Sequence, residues 1–434
     1  MRKFAVNAGW MLLEKIFRVF SVFLFSAFIA RQLGPEAFGQ LNLYMTLASA
    51  VWVLASLGLD TLMLRDFARG EVDSNRLLST VYSLRACVLV ASAVAMIAYA
   101  LLAPQSFPSK EARHGFVVIA MSLPFYNVNS YYPFYQANSR SQFVTLVSIV
   151  ALVVSALLKV SFLVWGGGFF WLSCAIATDI VVLHVAFTIM QKRSLAKVSL
   201  RDFDAKLAGR FLREGAPLAV SAVLVVIYTR IDQVFLDRLA GARELGLYGA
   251  ATRVSEAFVF LPTLVSTSFF PLIAADLSRK NVQSYFDVVT AFAAFGAAAL
   301  AAASWWFVPW IFGEEYRGAV LVSVVLLAAT FFAVSGGATT NYFVAKGMPY
   351  VRLVRSIIGI AVNIALNFAL VPKHGALGAA VSALLSQIVA GWLSNMLTSS
   401  TRECFMLQSR SILTLGLMGG SRAMRELISR RRTP

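Results

Sequence analysis

Charged side chains are scarce in this sequence, and their scarcity excludes a soluble globular protein. Only 14% of the 434 residues are Asp, Glu, Lys or Arg, whereas 59% are hydrophobic, and the mean hydropathy is +0.74. A soluble chain of this length could not cover its apolar surface with so few charges. A membrane protein needs no such cover, because lipid is its outer solvent. The composition therefore predicts a membrane protein.

Cysteine and histidine are also rare, with three residues of each scattered along the chain. Cys87, Cys174 and Cys404 are too few and too dispersed for a disulfide framework or a metal site. The sequence also lacks a phosphate-cradling loop of the Walker type. These absences argue against ATP hydrolysis, and we expect neither a cofactor nor a bound metal.

Long apolar runs make up most of what is present. A membrane-spanning helix needs about 20 mostly apolar residues. Runs of that kind fall at residues 9–31, 38–64, 77–103, 115–138, 142–165, 168–190, 215–237, 245–275, 284–312, 318–345, 351–371 and 375–399. The predicted fold class is an all-α polytopic membrane protein with about 12 transmembrane helices.

Basic residues are distributed unevenly between alternate connections. With the N-terminus in the cytoplasm, the cytoplasmic segments carry 25 Lys and Arg, and the outer connections carry 7. This asymmetry is the positive-inside bias. It places both termini in the cytoplasm, and it accounts for the net charge of +17 without a nucleic acid partner.

The longest connection, residues 191–214, divides the chain into two sets of six helices. It is basic, and its spaced apolar residues, among them Leu207 and Phe211, are typical of an amphipathic helix at a membrane surface. We therefore predict an N-terminal six-helix lobe at 1–190 and a C-terminal six-helix lobe at 215–400. A basic cytoplasmic tail at 401–434 follows, and its composition indicates contact with anionic membrane lipids.

A turn motif recurs in the two lobes. The stretch "ARQLGPEAFG" at 30–39 is followed much later by "DRLAGARELGLYG" at 237–249. An offset of 207 residues places Gly241 on Gly34 and Gly246 on Gly39. This predicts a parallel internal repeat of the kind found in secondary transporters, although glycine-rich turns recur in many polytopic proteins.

Several motifs resemble one family. "RQLGPEAFG" with "LGLDTLMLRDFA" resembles the start of bacterial polysaccharide-export flippases of the multidrug/oligosaccharidyl-lipid/polysaccharide exporter superfamily. "GAPLAVSAVLVVIYTRIDQVFLDRLAG" and "ELGLYGAATRVSEAFVFLPTLVSTSFFPLIA" resemble that family's helices 7 and 8, and "GALGAAVSALLSQ" resembles its helix 12. The similarity extends over nearly the whole chain.

The resemblance implies two six-helix lobes around a central cavity that works by alternating access. It also implies that the cargo is an oligosaccharide linked to a lipid diphosphate, such as undecaprenyl diphosphate. The cargo would pass from the inner to the outer leaflet of the bacterial cytoplasmic membrane during surface polysaccharide biosynthesis. A glycan polymerase or another export component would be a candidate partner.

Charges inside spans are costly and usually face a cavity or pair with one another. Arginine suits a diphosphate, because its fork of donors matches phosphate oxygens. We predict that Arg18 receives the diphosphate from the inside and that Arg253 holds it when the cavity opens outward. The alternative is that these arginines form ion pairs that only allow insertion. The weaker candidates for substrate binding are Glu14, Arg85, Lys159, Arg230, Asp232 and Glu256.

A second candidate surface lies in "LPFYNVNSYYPFYQANSR" at 123–140. Aromatic faces stack on sugar rings and amides bond to hydroxyl groups, so we predict that Tyr131, Tyr135 and Gln136 contact sugar. The alternative is an interfacial aromatic belt with proline kinks. For "GGATTN" at 336–341, small-residue packing is favoured over an unwound helix.

Two rival functions come from other classes. A multidrug/cation antiporter of the same superfamily would need an acidic cavity, whereas the proposed cavity helices of this chain carry bases. A membrane-bound glycan polymerase or glycosyltransferase would need sizeable loops with catalytic acids, and the outer loops here are short. The coupling ion stays open, because Glu14, Asp60 and Glu256 each have an ion-pair explanation.

Overall fold

The computed structural model describes residues 2–70, 72–138, 140–165, 168–191, 198–348 and 350–417. These residues form α-helices and short 3-10 helices, without a β-strand among them. The α-helices are α1 Arg2–Ser56, α2 Leu59–Arg69, α3 Ser74–Leu102, α4 Lys110–Ser122, α5 Tyr132–Ala137, α6 Ser141–Trp165, α7 Phe169–Gln191, α8 Ala205–Leu239, α9 Ala242–Ala275, α10 Arg279–Phe312, α11 Ala319–Ala345, α12 Tyr350–Gly391 and α13 Ser399–Leu413.

Eight of these helices are long and apolar enough to cross a membrane. Two of the eight, α1 and α12, contain a break at a glycine: Gly34 with φ 71° and Gly375 with φ 52°. Only glycine adopts such backbone angles easily. Counting each broken helix as two crossings, and adding α8 and the broken segment at 110–137, gives about twelve crossings within the described residues. The predicted all-α polytopic fold is confirmed.

The predicted helix at 115–138 is not continuous. It consists of α4, a 3-10 helix over Leu123–Tyr131, and the short α5. Pro124 and Pro133 stand at the starts of the last two elements, and proline disfavours an unbroken α-helix because it lacks an N–H donor. The break places consecutive side chains of this segment in different surroundings.

By its internal contacts the chain forms two compact units. The first comprises the residues up to Leu33 together with Gln40–Val226, and the second comprises Gly34–Gly39 together with the residues from Ile227 onward. The division falls inside α8, which continues without a break from Ala205 to Leu239.

The core of the first unit gathers apolar side chains from α2, α3, the 3-10 helix, α6, α7 and the beginning of α8. Leu207 and Phe211 of α8 are 8% and 1% exposed and belong to this core. The apolar face of this segment therefore packs against protein, where the sequence indicated a helix on the membrane surface.

The core of the second unit includes part of the predicted tail. Helix α13 contributes Cys404 and Leu407 to a cluster built by α9–α12. Gln408 of α13 is also buried and donates to Ser335 Oγ at 3.0 Å and to the Gly391 carbonyl at 2.9 Å. The chain from Ser399 to Leu413 is thus a packed helix, and the prediction for the tail beyond residue 417 lies outside the described residues.

The repeated turn motif makes reciprocal backbone contacts within the second unit. A Cβ atom on Gly39 would lie 2.0 Å from the Ala242 carbonyl oxygen, and one on Gly246 would lie 1.8 Å from the Pro35 carbonyl oxygen. Ala242 and Gly246 are the positions that the 207-residue offset assigns to Pro35 and Gly39. The two copies of the turn motif thus contact each other at positions that the offset makes equivalent.

Candidate functional site

An open polar cleft of about 530 Å³ lies in the first unit. We call it the polar cleft. It is lined by Lys15, Arg18, Trp52, Asp60, Thr61, Leu64, Asn129, Tyr132, Pro133 and Gln136. Its volume is within the range of about 300 to 1,000 Å³ that is usual for small-ligand sites.

Three parts of the chain build the polar cleft. Helix α1 supplies Lys15 and Arg18, which lie three residues apart and hence on one face, and further along it supplies Trp52. A tight turn at Leu57 and Gly58, both with positive φ, ends α1 and starts α2. This turn places Asp60 in the first turn of α2, where the sequence had indicated a continuous span at 38–64.

Arg18 connects the two constellations that the sequence singled out. Its Nη2 donates to the Tyr132 hydroxyl at 3.1 Å, and that hydroxyl lies 3.3 Å from Ser148 Oγ on α6. Tyr132 belongs to the aromatic motif at 123–140. The base on α1 and the aromatic and amide segment therefore line one site.

Asp60 is held by a buried arginine. Arg85 of α3 is 0% exposed, and its Nη2 donates to Asp60 Oδ1 at 2.9 Å and to the Ser56 carbonyl at 3.1 Å. Its Nη1 donates to Ser130 Oγ at 3.2 Å. The Asp60 side chain stays 54% exposed. Arg85, a predicted substrate ligand, supports the wall of the polar cleft from behind and does not line it.

Of the three residues predicted to contact sugar, Gln136 lines the polar cleft and is exposed. Tyr131 and Tyr135 are each 4% exposed. The ring of Tyr131 stacks on Phe187 and the ring of Tyr135 stacks on Phe143. The structure places both tyrosines in the apolar core, because the 3-10 to α-helix transition turns Tyr132 towards the polar cleft instead. The side chain of Glu14 lies outside the described residues.

Lys159 lies in another environment in the same unit. It is 3% exposed, and its Nζ is 2.6 Å from Asp179 Oδ2 on α7 and 4.0 Å from the ring centre of Phe25. Ser155 donates to the other oxygen of Asp179. This lysine ties α6 to α7 and α1, and it is absent from the lining of the polar cleft.

The second unit brings three predicted residues together. Glu256 Oε1 lies 3.0 Å from Arg230 Nη2, and its Oε2 lies 3.2 Å from Arg253 Nη1. The sequence predicted the proximity of Arg253 and Glu256, which are three residues apart on α9, but gave no indication that Arg230 of α8 joins them. We call this group the α8/α9 cluster. Two guanidinium groups therefore share the carboxylate of Glu256.

Asp232 is separate from the α8/α9 cluster. It is 3% exposed and accepts hydrogen bonds from the Tyr248 hydroxyl at 2.8 Å and from Asn367 Nδ2 at 2.7 Å. Asn367 Nδ2 also donates to the Asn363 carbonyl at 2.9 Å. Asp232 therefore connects α8 to α9 and α12, whereas Arg230, two residues earlier, points to Glu256.

The "GGATTN" segment is helical within α11, as small-residue packing requires. Its Gly336 carbonyl and Thr339 hydroxyl accept from Arg355 of α12 at 3.1 and 2.8 Å. Arg355 also donates to the carbonyls of Ala390 and Gly391. From the sequence, Arg355 is one of the predicted cytoplasmic bases, because no nearby residue indicates that its side chain is buried.

Among the described residues, no three or more His, Cys, Asp or Glu side chains come together in a way that could hold a metal ion. The described lining of the polar cleft offers cations, amides, two aromatic rings and a carboxylate.

Two curated relatives have similar sequences. The capsular polysaccharide biosynthesis protein CapF of Staphylococcus aureus is 22% identical over 406 residues, which cover 88% of this chain and 96% of CapF. The probable flippase AglR of Haloferax volcanii is 25% identical over 183 residues, covering 38% of this chain and 37% of AglR.

Solved structures establish the fold. The lipid II flippase MurJ in an inward closed conformation has a TM-score of 0.74 at 15% identity, covering 96% of this chain and 99% of MurJ. An inward-facing multidrug resistance MATE transporter of the MOP superfamily has a TM-score of 0.69 at 15% identity, covering 91% of this chain and 94% of that transporter. The model of the family described as "Polysaccharide biosynthesis protein" matches residues 4–275. Since this match spans more than half of the sequence, the chain belongs to the polysaccharide biosynthesis protein family.

Proposed function

We propose that this protein is a flippase that moves a lipid-diphosphate-linked oligosaccharide from the inner to the outer leaflet of the bacterial cytoplasmic membrane. The family, the flippase among the relatives and the transporter fold support a transport role over catalysis of glycan synthesis. Undecaprenyl diphosphate is the proposed carrier. The positive-inside bias supports cytoplasmic N- and C-termini.

The observation that carries the proposal is the composition of the polar cleft. Lys15 and Arg18 supply positive charge for a diphosphate, and arginine binds phosphate oxygens with two parallel hydrogen bonds. Tyr132 and Gln136 lie in the same lining and offer hydroxyl and amide groups to a saccharide. A lipid-linked sugar diphosphate needs both kinds of contact, side by side.

The α8/α9 cluster is the proposed second binding group. In an alternating-access cycle, Arg18 takes the diphosphate on the cytoplasmic side, and Arg253 with Arg230 holds it in the outward-open state. Glu256 moderates the charge of the two arginines, so that the headgroup is bound and then released.

Complementation of a deletion strain tests the proposal. Cells without the gene should accumulate the lipid-linked oligosaccharide on the cytoplasmic face, as measured by mass spectrometry of lipid extracts. Arg18→Ala and Arg253→Ala should each reduce export at least about tenfold, because a charge-assisted bond of about 1.5–3 kcal/mol is lost. Arg317→Ala is the matched control, since the Arg317 side chain is 71% exposed and pairs with the neighbouring Glu314. Full export by both Arg18→Ala and Arg253→Ala at wild-type expression would refute the proposal.

A further inference from the structure

The described lining of the polar cleft includes an acid as well as bases. Asp60 lines the same cleft as Lys15 and Arg18. A carboxylate near a phosphate repels it, and this repulsion weakens the binding of any purely anionic headgroup. Asp60 is the ion-pair partner of the buried Arg85, and its side chain, 54% exposed, is also accessible to a part of the ligand other than the phosphates.

The position of Asp60 is fixed by a residue that cannot itself reach the ligand. Arg85 is fully buried, and its two terminal nitrogens donate to Asp60, Ser130 and the Ser56 carbonyl. With both nitrogens engaged, the guanidinium is committed to the wall of the cleft. Arg85 holds one oxygen of Asp60, while the Asp60 side chain remains 54% exposed.

Trp52 lies beside this ion pair. The guanidinium carbon of Arg85 is 5.6 Å from the centre of the Trp52 ring, and Trp52 also stacks with Tyr126 at a ring-centre distance of 6.2 Å and an interplanar angle of 29°. These contacts keep the indole in one orientation. Trp52 also lines the polar cleft, so a fixed aromatic surface and a fixed carboxylate occur together.

An aromatic surface beside a carboxylate and an amide is the chemistry of saccharide recognition. Sugar rings present C–H groups to an aromatic face and O–H or N–H donors at their edges. A carboxylate accepts such donors in strong, charge-assisted hydrogen bonds. Asn129 also lines the polar cleft, and an asparagine amide can both donate and accept hydrogen bonds.

We propose that Trp52, Asp60 and Asn129 form a sugar subsite that reads the saccharide next to the diphosphate, with Arg85 as its positioning residue. This inference rests on the proposed function. The subsite selects a neutral or N-acetylated sugar, which supplies hydroxyl and amide donors to Asp60. It disfavours a uronic acid at that position, because a second carboxylate would face Asp60 without a shared proton.

Binding of three synthetic ligands to the purified full chain in nanodiscs tests the subsite. The ligands are undecaprenyl diphosphate, the same lipid carrying N-acetylglucosamine, and the same lipid carrying glucuronic acid. Wild-type protein should bind the N-acetylglucosamine ligand more tightly than the glucuronic acid ligand. Asp60→Asn should weaken binding of the N-acetylglucosamine ligand about 10-fold or more, and it should not weaken binding of the sugar-free lipid, because that lipid loses only a repulsive neighbour.

Matched variants separate the roles. Arg18→Gln should weaken binding of all three ligands equally, and Glu111→Gln, an exposed acid of the same unit that does not line the cleft, should change none. Trp52→Leu removes the aromatic surface but neither member of the Asp60–Arg85 pair, and it should weaken only the sugar-linked ligands, so the test survives if Asp60→Asn fails to fold. Arg85→Lys keeps the charge but loses the planar fork, and it should reproduce the Asp60→Asn pattern.

The outcomes are distinguishable. If Asp60→Asn and Trp52→Leu change the binding of sugar-linked and sugar-free lipid equally, or change neither, the subsite is refuted while the proposed function stands. If Arg85→Lys weakens sugar-free binding as much as sugar-linked binding, Arg85 is not a positioning residue. If the wild-type protein binds none of the three ligands, the proposed function itself fails.

Discussion

At the scale of single residues, charges within the membrane-spanning part separate by exposure and by partner. Arg85, Lys159 and Asp232 are 0%, 3% and 3% exposed, and each is tied to other helices of its own unit. The Arg230 and Glu256 side chains are 29% and 38% exposed. Because a charge in lipid costs several kcal/mol unless it is paired or hydrated, the first group fits structural ties and the second fits ligand contact.

The buried guanidinium of Arg355 is expected to stabilise the packing of α11 against α12 through its hydrogen bonds. Its replacement by alanine removes the hydrogen bonds to the carbonyls of Gly336, Ala390 and Gly391, and a hydrogen bond from a charged group contributes about 1.5–3 kcal/mol. We therefore expect Arg355→Ala to destabilise the purified protein by about 2 kcal/mol or more, measured by thermal unfolding in detergent.

Two further variants define what Arg355 does. Arg352→Ala, an exposed arginine on the same helix, should leave thermal unfolding unchanged. Arg355→Lys should recover only part of the loss, because a single ammonium group cannot reach several carbonyls in the plane of the guanidinium. Equal thermal stability of wild type and Arg355→Ala would show that the hydrogen bonds of Arg355 do not stabilise the folded protein.

Residue contacts could be predicted from the sequence only where the partners are close in the chain. The Arg253–Glu256 pair follows from a spacing of three on a helix. The Asp60–Arg85 pair joins two helices across a turn at Leu57 and Gly58, and the 207-residue repeat gives no information about it. Likewise, Tyr132 could not be distinguished from its neighbours Tyr131 and Tyr135 until the break in the helix was known.

At the scale of elements, the glycine of the repeated turn motif allows two helices to touch through their backbones. An alanine Cβ at Gly246 would lie 1.8 Å from the Pro35 carbonyl oxygen, and a rigid backbone cannot yield to it. We expect Gly246→Ala to lower the yield of folded protein sharply, at a cost of about 3 kcal/mol or more, as measured by size-exclusion chromatography of a fluorescent fusion.

Gly337→Ala is the matched control for the glycine contact. No atom lies within 4 Å of a Cβ at Gly337, and alanine favours the helix that glycine weakens. This variant should give at least the wild-type yield. If Gly246→Ala folds as well as Gly337→Ala, the reciprocal contact of the repeat does not constrain the structure.

The packing of α13 has a chemical signature in its cysteine. Cys404 is 0% exposed, and burial raises the pKa of its thiol to about 12. Since the thiolate is the reactive form, Cys404 should resist a maleimide at pH 8 in the folded protein and react fully after denaturation. Mass spectrometry of labelled peptides measures this, and rapid labelling of Cys404 in folded protein would mean that α13 is not packed as described.

Most of the long helices could be predicted from the sequence, whereas the residues at which they begin and end could not. The apolar runs correspond to the long helices, because lipid requires about 20 apolar residues for each crossing. The segment after α12 packs as a helix because Gln408 and Cys404 contact buried residues on other helices. No local pattern in the sequence indicates such a partner, so α13 was read as part of a surface tail.

At the scale of the whole molecule, the balance of charge bears on the choice between the two transport functions. Among the described side chains, the polar cleft has Lys15 and Arg18 against Asp60, and the α8/α9 cluster has two arginines against one glutamate. Bases outnumber acids in each of these two groups. This balance favours a diphosphate over a cationic drug as the ligand.

Expression in a bacterial host that lacks its own multidrug exporters tests this charge argument. We expect the protein to leave ethidium efflux and dye resistance at the level of an empty vector, because neither group offers a net negative site. Expression should be verified by immunoblot, and a known multidrug exporter serves as the positive control. Increased efflux that Asp60→Asn or Glu256→Gln abolishes, while Glu111→Gln does not, would favour the antiporter, since it would make the two acids the binding groups and the neighbouring bases their counter-ions.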